Sequence, residues 1–303
     1  MARVTLKSAN TAVIIGGSPA FKTYDDSGSI FAGVQSANFG FSLDRENLKQ
    51  IGSQDQAEDT ITRHPDVNLS MDYSFTPTYA NEELLGINYD LDVKPKESIT
   101  KTLSEKSYNF YFYNHPDQGE DGLGYIKNIG FPNNGEVISI GNCFLTNYEL
   151  EFSVGSIPSV KVDFLCSNIQ TETYLGPLSS PAINLKSGNA SGVGNFDIEN
   201  VSYIDERKFG DIYDLDRTKI ETQLPHDVTF EIKDLQIGGQ KISLEDHRLN
   251  SFKFTMPIER ANLYRLGSDY VCERKIQYPI NATASFSSLV SSHQAGFISG
   301  LLR

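Results

Sequence analysis

The stretch VQSANFGFSLDRENLKQIGS, Val34 to Ser53, has a counterpart late in the chain, LNSFKFTMPIERANLYRLGS, Leu249 to Ser268. Its first half alternates: Ala37, Phe39, Phe41 and Leu43 fall on one side of an extended backbone, and Ser36, Asn38, Gly40, Ser42 and Asp44 on the other. That period of two is the signature of a strand with one apolar and one wet face. Aligned at a constant offset of 215, residues 35–53 and 250–268 share seven identities in 19 positions, namely Ser36/Ser251, Phe39/Phe254, Arg45/Arg260, Asn47/Asn262, Leu48/Leu263, Gly52/Gly267 and Ser53/Ser268.

β-rich sequences share alternation, so a window this short can match by chance, and order and spacing over a longer span must decide. Phe252, Phe254, Met256 and Ile258 stand where Ala37, Phe39, Phe41 and Leu43 stand. Downstream, RHPDVNLSMDYSF and QYPINATASFSSL bring Pro65 and Pro279 into register after a one-residue slip, and each is followed by a helix candidate. Upstream, VTL…IIGG at Val4–Gly17 is answered by VTF…QIGG at Val228–Gly239. The chain therefore reads as an internal duplication. Each copy is a strand, a turn around Arg-x-Asn-Leu…Gly-Ser, a second strand and a helix. Arg45, Asn47 and Gly52, with Arg260, Asn262 and Gly267, recur at that turn. They read either as satisfying backbone groups there or as contacts to an adjacent subunit.

Other segments follow the same grammar. NLSMDYSF alternates Leu69, Met71, Tyr73 and Phe75, and NYELEFSVGSIPSVKVDF alternates on both sides of Gly155-Ser156-Ile157-Pro158, which predicts a hairpin. TPTYANEELLGI, with Thr78 as cap and Gly86 as stop, predicts a short helix, and SLVSSHQAGFISGLLR is a second candidate weakened by Gly296 and Gly300. GINYDLDVKPKESITKTLSEKS and NHPDQGEDGLG read as exposed polar loops. Pro, Gly, Ser and Asn cluster from Thr171 to Asn195, which places a linker at 171–195 between a first unit at 1–170 and a second at 196–303.

Composition agrees with strands and turns: 18 Phe, 15 Tyr and 24 Gly among 303 residues, with few long helical patterns, favour an all-β fold with one or two short helices. With 39 Asp and Glu against 26 Lys and Arg the net charge is −13, the wrong sign for a surface that neutralises nucleic-acid phosphates. Three cysteines without a CxxC spacing indicate neither a disulfide framework nor a zinc cluster. No apolar run approaches the roughly 18 residues of a membrane span, and the N-terminus lacks a secretory pattern, so the sequence reads as soluble and made in a cytoplasm.

Catalytic constellations are not found. His64, His115, His226, His247 and His293 are dispersed in polar contexts. DQGEDG lacks the ligand series and closing Glu of a calcium loop. SGNASGVG follows no strand and opens no helix, as a phosphate cradle must. Cys143 and Cys166 lie in strand-like sequence, where a buried small hydrophobe is the default. The reading assigns no catalytic residue, metal or cofactor.

VQSANFGFSLDRENLKQIGS…RHPDVNLSMDY, GNCFLTNYELEFSVGSIPSVKVDFLCSNI and LNSFKFTMPIERANLYRLGS…RKIQYPINATASF, roughly half the chain, resemble the major tail tube proteins of tailed bacteriophages. The resemblance implies β-sandwich tail-tube units whose hairpins join those of neighbouring subunits in an intersubunit β-barrel. Rings of it would stack into a tube that conducts DNA in a virion tail. It implies self-association, contacts with tape measure, terminator and baseplate or tip proteins, a sheath if the tail is contractile, transient passage of DNA, and no membrane. A duplicated subunit would need three copies for a pseudo-six-fold ring, so a trimer is favoured over a hexamer. Within that frame Ala37, Phe39, Phe41 and Leu43 point to the core, and Ser36, Asn38, Gly40 and Ser42 are candidates to line the lumen. The competing classes are another virion β-protein, of a baseplate or fibre, and a carbohydrate-binding β-sandwich, against which the absence of Trp counts.

Overall fold

The computed structural model describes residues 11–17, 29–42, 45–48, 58–61, 66–75, 80–87, 107–114, 135–173, 178–179, 181–183, 195–196, 235–237, 240–242, 248–266 and 270–289. The strands are β1 (Thr11–Gly17), β2 (Ser29–Ile30), β3 (Val34–Ser42), β4 (Arg45–Leu48), β5 (Glu58–Ile61), β6 (Asp66–Ser74), β7 (Tyr108–Asn114), β8 (Glu136–Ser153) and β9 (Ser159–Cys166). They continue with β10 (Asn168–Thr173), β11 (Leu178–Ser179), β12 (Asn195–Phe196), β13 (Leu235–Ile237), β14 (Gln240–Ile242), β15 (Arg248–Pro257), β16 (Arg260–Leu263), β17 (Glu273–Ile276) and β18 (Thr283–Leu289). One helix, α1 (Ala80–Leu84), lies between β6 and β7. The fold is all-β.

Ten strands form one sheet that bends into two leaves around β8. The first half of β8 pairs β7 and β10, and β7 continues through β1 to β2. The second half pairs β9 on one side and β15 on the other, giving an antiparallel leaf in the order β3-β6-β9-β8-β15-β18. The bend has a local cause. Asn142 takes a left-handed φ of 49°, and the β7–β8 register shifts beside it. Asn tolerates that conformation better than most residues. Here its side chain accepts the Ile183 amide at 2.5 Å, and its own amide donates to Asn109 Oδ1 at 3.1 Å. Next to it, a Cβ on Gly141 would lie 2.1 Å from the Pro181 carbonyl oxygen, so only glycine fits.

The core fills the space between the leaves. Phe110 lies 5.0 Å from Phe164 and 5.9 Å from Phe31, and Phe39 lies 6.2 Å from Phe112. These are the separations at which aromatic rings gain beyond their area burial. α1 ends where Gly86 turns at φ 69°, and it closes one side of the core with Leu85. Glu82 of α1 is fully buried, and its Oε1 accepts the hydroxyls of Tyr73 at 2.8 Å and Tyr148 at 3.4 Å. Burial raises the Glu82 carboxyl above its ordinary 4.5, against the opposing pull of those hydroxyls. A folded-state value above the unfolded one stabilises the fold fully below pH 4.5, and that contribution is lost as pH rises through the raised value. The expected result is a melting temperature that falls, as pH rises above 4.5, by more than that of Glu82→Gln, read by calorimetry in parallel buffers.

The two echoing sequences form the same local structure in register. β3 pairs β6 as Ala37↔Met71, Phe39↔Leu69 and Phe41↔Val67, with a bulge between Val34 and Ser36. β15 pairs β18 as Phe252↔Phe286 and Phe254↔Ala284, with a bulge between Leu249 and Ser251, the same pairs displaced by 215. β4 pairs β5 from Arg45↔Ile61 to Leu48↔Glu58, and β16 pairs β17 from Arg260↔Ile276 to Leu263↔Glu273, again displaced by 215. The one-residue slip anticipated at the prolines does not occur in the ladders. At the constant offset Pro279 stands opposite His64 in the sequence, and His64 and Pro65 lie outside the described residues.

Two further differences concern boundaries. The segment read as a linker begins inside β10, whose Thr171–Thr173 pair with β8, and Ala182 and Ile183 are buried. The C-terminal helix candidate, apart from Ser288 and Leu289 in β18, lies outside the described residues. So do most of the two polar loops and the upstream segment Val228–Asp234.

Candidate assembly and lumen face

Because each of the six strands of the second leaf alternates, their polar positions line up across the sheet into one continuous wet face. Ser36, Asn38, Gly40 and Ser42 on β3 lie opposite Asp72, Ser70, Asn68 and Asp66 on β6. Ser70 and Asp72 face Asp163 and Lys161 on β9, which face Asn147 and Glu149 on β8. Glu149 and Glu151 face Thr255 and Lys253 on β15, which face Thr283 and Ser285 on β18. The described side chains of this face include Asp66, Asp72, Glu149, Glu151 and Asp163 against Lys161 and Lys253, three net negative charges.

Short polar contacts stiffen it. Ser36 Oγ donates to Asp72 Oδ2 at 2.7 Å, Ser70 Oγ to Asp163 Oδ1 at 2.6 Å, and Asn147 Nδ2 to Asp163 Oδ2 at 3.1 Å. Lys253 Nζ pairs with Glu149 Oε1 at 2.5 Å, and the hydroxyls of Ser251 and Ser287 meet at 2.7 Å. Of the residues singled out from sequence, Asn38, Gly40 and Ser42 are exposed and Ser36 half-buried, all on this face. On the other side Ala37 and Phe39 pack against the core as anticipated, while Phe41, expected there too, is 51 % exposed because no strand among the described residues lies beyond β3. Leu43 and Asp44 lie outside the described residues.

The turn residues separate. Arg260 Nε donates to the Leu145 carbonyl at 3.0 Å, and its guanidinium lies 5.1 Å from the centre of the Phe144 ring. It therefore satisfies a backbone group, one on β8. Burial, with the Arg274 charge beside it, lowers the Arg260 guanidinium to about 10. Asn262 Oδ1 accepts Arg274 Nε at 3.3 Å. Gly52 and Gly267 lie outside the described residues, as do the side chains of Arg45 and Asn47 on β4.

Arg274 was not singled out from the sequence, and it is the larger contact. Only 4 % exposed, it donates to the carbonyls of Asn142 at 3.3 Å, Leu165 at 3.1 Å and Cys166 at 2.7 Å, and to Ser167 Oγ at 2.9 Å. Its guanidinium is the second beside the Phe144 ring, 5.4 Å from the ring's centre. The repeat gives no hint of it, because position 59, its counterpart, is Asp. Cys143 and Cys166 are fully buried beneath this clamp; burial, then the neighbouring Cys166, pushes the Cys143 thiol well up, so it stays protonated and inert.

Among the described residues no group of three or more His, Cys, Asp or Glu side chains is placed to hold a metal, and no helix is long and apolar enough to cross a membrane.

No protein-family model and no curated protein matches the chain. Solved structures do. The SPP1 tail tube matches over 56 % of this chain and 80 % of its own, at 8 % identity and a TM-score of 0.36. The sheath-tube complex of an extracellular contractile injection system, PVC, in its extended state matches over 56 % and 93 %, at 9 % identity and a TM-score of 0.34. The virion of a native gene transfer agent particle matches over 56 % and 100 %, at 11 % identity and a TM-score of 0.33. The chain is similar to structures of tail tubes and tail-like particles.

Proposed function

We propose that the chain is a structural protein of a phage tail tube, assembling into stacked rings whose lumen is lined by the polar leaf and lets DNA pass. The observation that carries this reading is the six-strand polar face, net acidic and backed by an apolar core. A conduit must not hold its cargo, and carboxylates facing a lumen repel phosphates over about a Debye length, roughly 8 Å at physiological salt. In this reading Ser36, Asn38, Gly40 and Ser42 line the lumen, the protein resides in the virion tail, and its role is architectural rather than enzymatic.

The coincident ladders support a duplication of the tube unit, with the second unit seated on the first through β15 and the Arg260 and Arg274 contacts. A trimeric ring is the assembly that duplication favours. Tape measure, terminator and baseplate or tip proteins are the partners that a tube requires, with a sheath if the tail contracts.

The test is negative-stain microscopy of the purified chain. Uniform rings or hollow tubes are expected; a particle that stays monomeric at every concentration would sink the reading.

A further inference from the structure

We propose that β18 of one copy pairs antiparallel with β3 of the next, so that the six-strand leaf continues from chain to chain into a closed barrel. This rests on the tube reading and specifies its seam.

Both edge strands of the leaf are built for pairing. β3, VQSANFGFS, and β18, TASFSSL, carry no charged residue, whereas each of the four strands between them does. A protein that keeps its sheet edges to itself does the reverse and places charges or prolines there. The free backbone groups can be assigned. Ser74 N donates to Gly33 O and Phe75 N to Pro158 O, so even-numbered residues of β6 bond β3 and odd-numbered ones bond β9. The amides and carbonyls of Ala37, Phe39 and Phe41 therefore point outward from β3. Likewise Val154 N donates to Asn250 O and Ile258 N to Thr146 O, so even residues of β15 bond β8 and odd ones bond β18. Ala284 and Phe286 then point outward from β18.

The duplication shows what is missing beside each edge. Phe41 corresponds to Met256, which packs against the core because β8 lies beside β15. Phe286 corresponds to Met71, fully buried because β9 lies beside β6. Phe41 and Phe286 instead stand 51 % and 47 % exposed, each on the apolar side of a strand that has no further neighbour there among the described residues. A second copy of this chain supplies both strands at once. Six alternating strands is an even number, so under a rotation about the ring axis the next chain's β3 meets β18 antiparallel, the pairing found at every other seam of the leaf. With strands about 4.8 Å apart and tilted about 40°, three chains close a barrel of roughly 36 Å backbone diameter. Side chains reaching inward by about 5 Å leave a lumen of roughly 25 Å. Six chains would double the diameter.

Phe41→Pro and Phe286→Pro each remove one outward amide without touching the β3–β6 or β15–β18 ladder. Circular dichroism confirms folding, and Phe41→Lys and Phe286→Lys replace either proline variant that fails to fold. At a concentration where the unaltered chain forms rings, analytical ultracentrifugation should show each variant alone as a monomer and their equimolar mixture as a dimer, joined by the one intact seam. Rings from either variant alone, dimers of either alone, or a mixture that remains monomeric would each overturn the β18–β3 seam while leaving the tube reading intact. An unaltered chain that forms no ring overturns the tube reading instead.

Discussion

Replacing Arg274 by Ala is expected to destabilise the fold by about 3–4 kcal/mol, because the carbonyls of Asn142, Leu165 and Cys166 and the buried Ser167 hydroxyl lose their donor together. The main term is the desolvation cost of groups left unpaired rather than the bonds lost. For a chain of this size that corresponds to a fall of roughly 5 °C in melting temperature. Arg274→Lys should recover little, since one ammonium on a flexible stem cannot reach acceptors arranged around a planar fork. Arg260→Ala removes the bond to the Leu145 carbonyl and the contact with the Phe144 ring, and should cost less, about 1–2 kcal/mol. Calorimetry of the three variants checks the order; equal losses for Arg260→Ala and Arg274→Ala would contradict the clamp.

That clamp also marks where sequence reading stops. The β3, β6, β8–β9 and β15 ladders were legible because each strand keeps one wet face and so alternates. β7, YNFYFYN, was not, because six of its seven residues are buried and both faces are covered, which erases the alternation. The first half of β8 is hidden for the same reason, and its bend rests on the conformation of a single residue, Asn142. Arg45, Asn47, Arg260 and Asn262 stood out because they repeat. Arg274, which binds three carbonyls and a hydroxyl, stood out in nothing, because its counterpart at the constant offset is Asp59. Repetition reveals what two units share. It is blind to what fastens one to the other.

The polar face of the second leaf, proposed to line the lumen, carries the second large effect. Asp66 and Glu151 are exposed toward opposite ends of the strands on this face, and Asn68 is exposed near Asp66. Asp66→Lys, Asn68→Lys and Glu151→Lys together turn three net negative charges into two net positive ones, at sites where a lysine meets solvent rather than the core. Folding should be little affected, since exposed substitutions usually stay within about 0.5 kcal/mol. The consequence falls on the cargo. Every copy in a ring now contributes cations to the same wall, and the affinity of a phosphate backbone for that wall rises with each contact made. If about six phosphates are neutralised in one ring, the logarithm of the binding constant should fall with the logarithm of salt at a slope near −5, giving roughly a thousandfold loss between 50 and 200 mM. Fluorescence anisotropy of labelled duplex DNA with assembled tubes reads this directly. The unaltered tube should show no salt-dependent binding, and the triple variant should show the full slope. Equal binding by both would mean that this face does not look onto the path of the DNA.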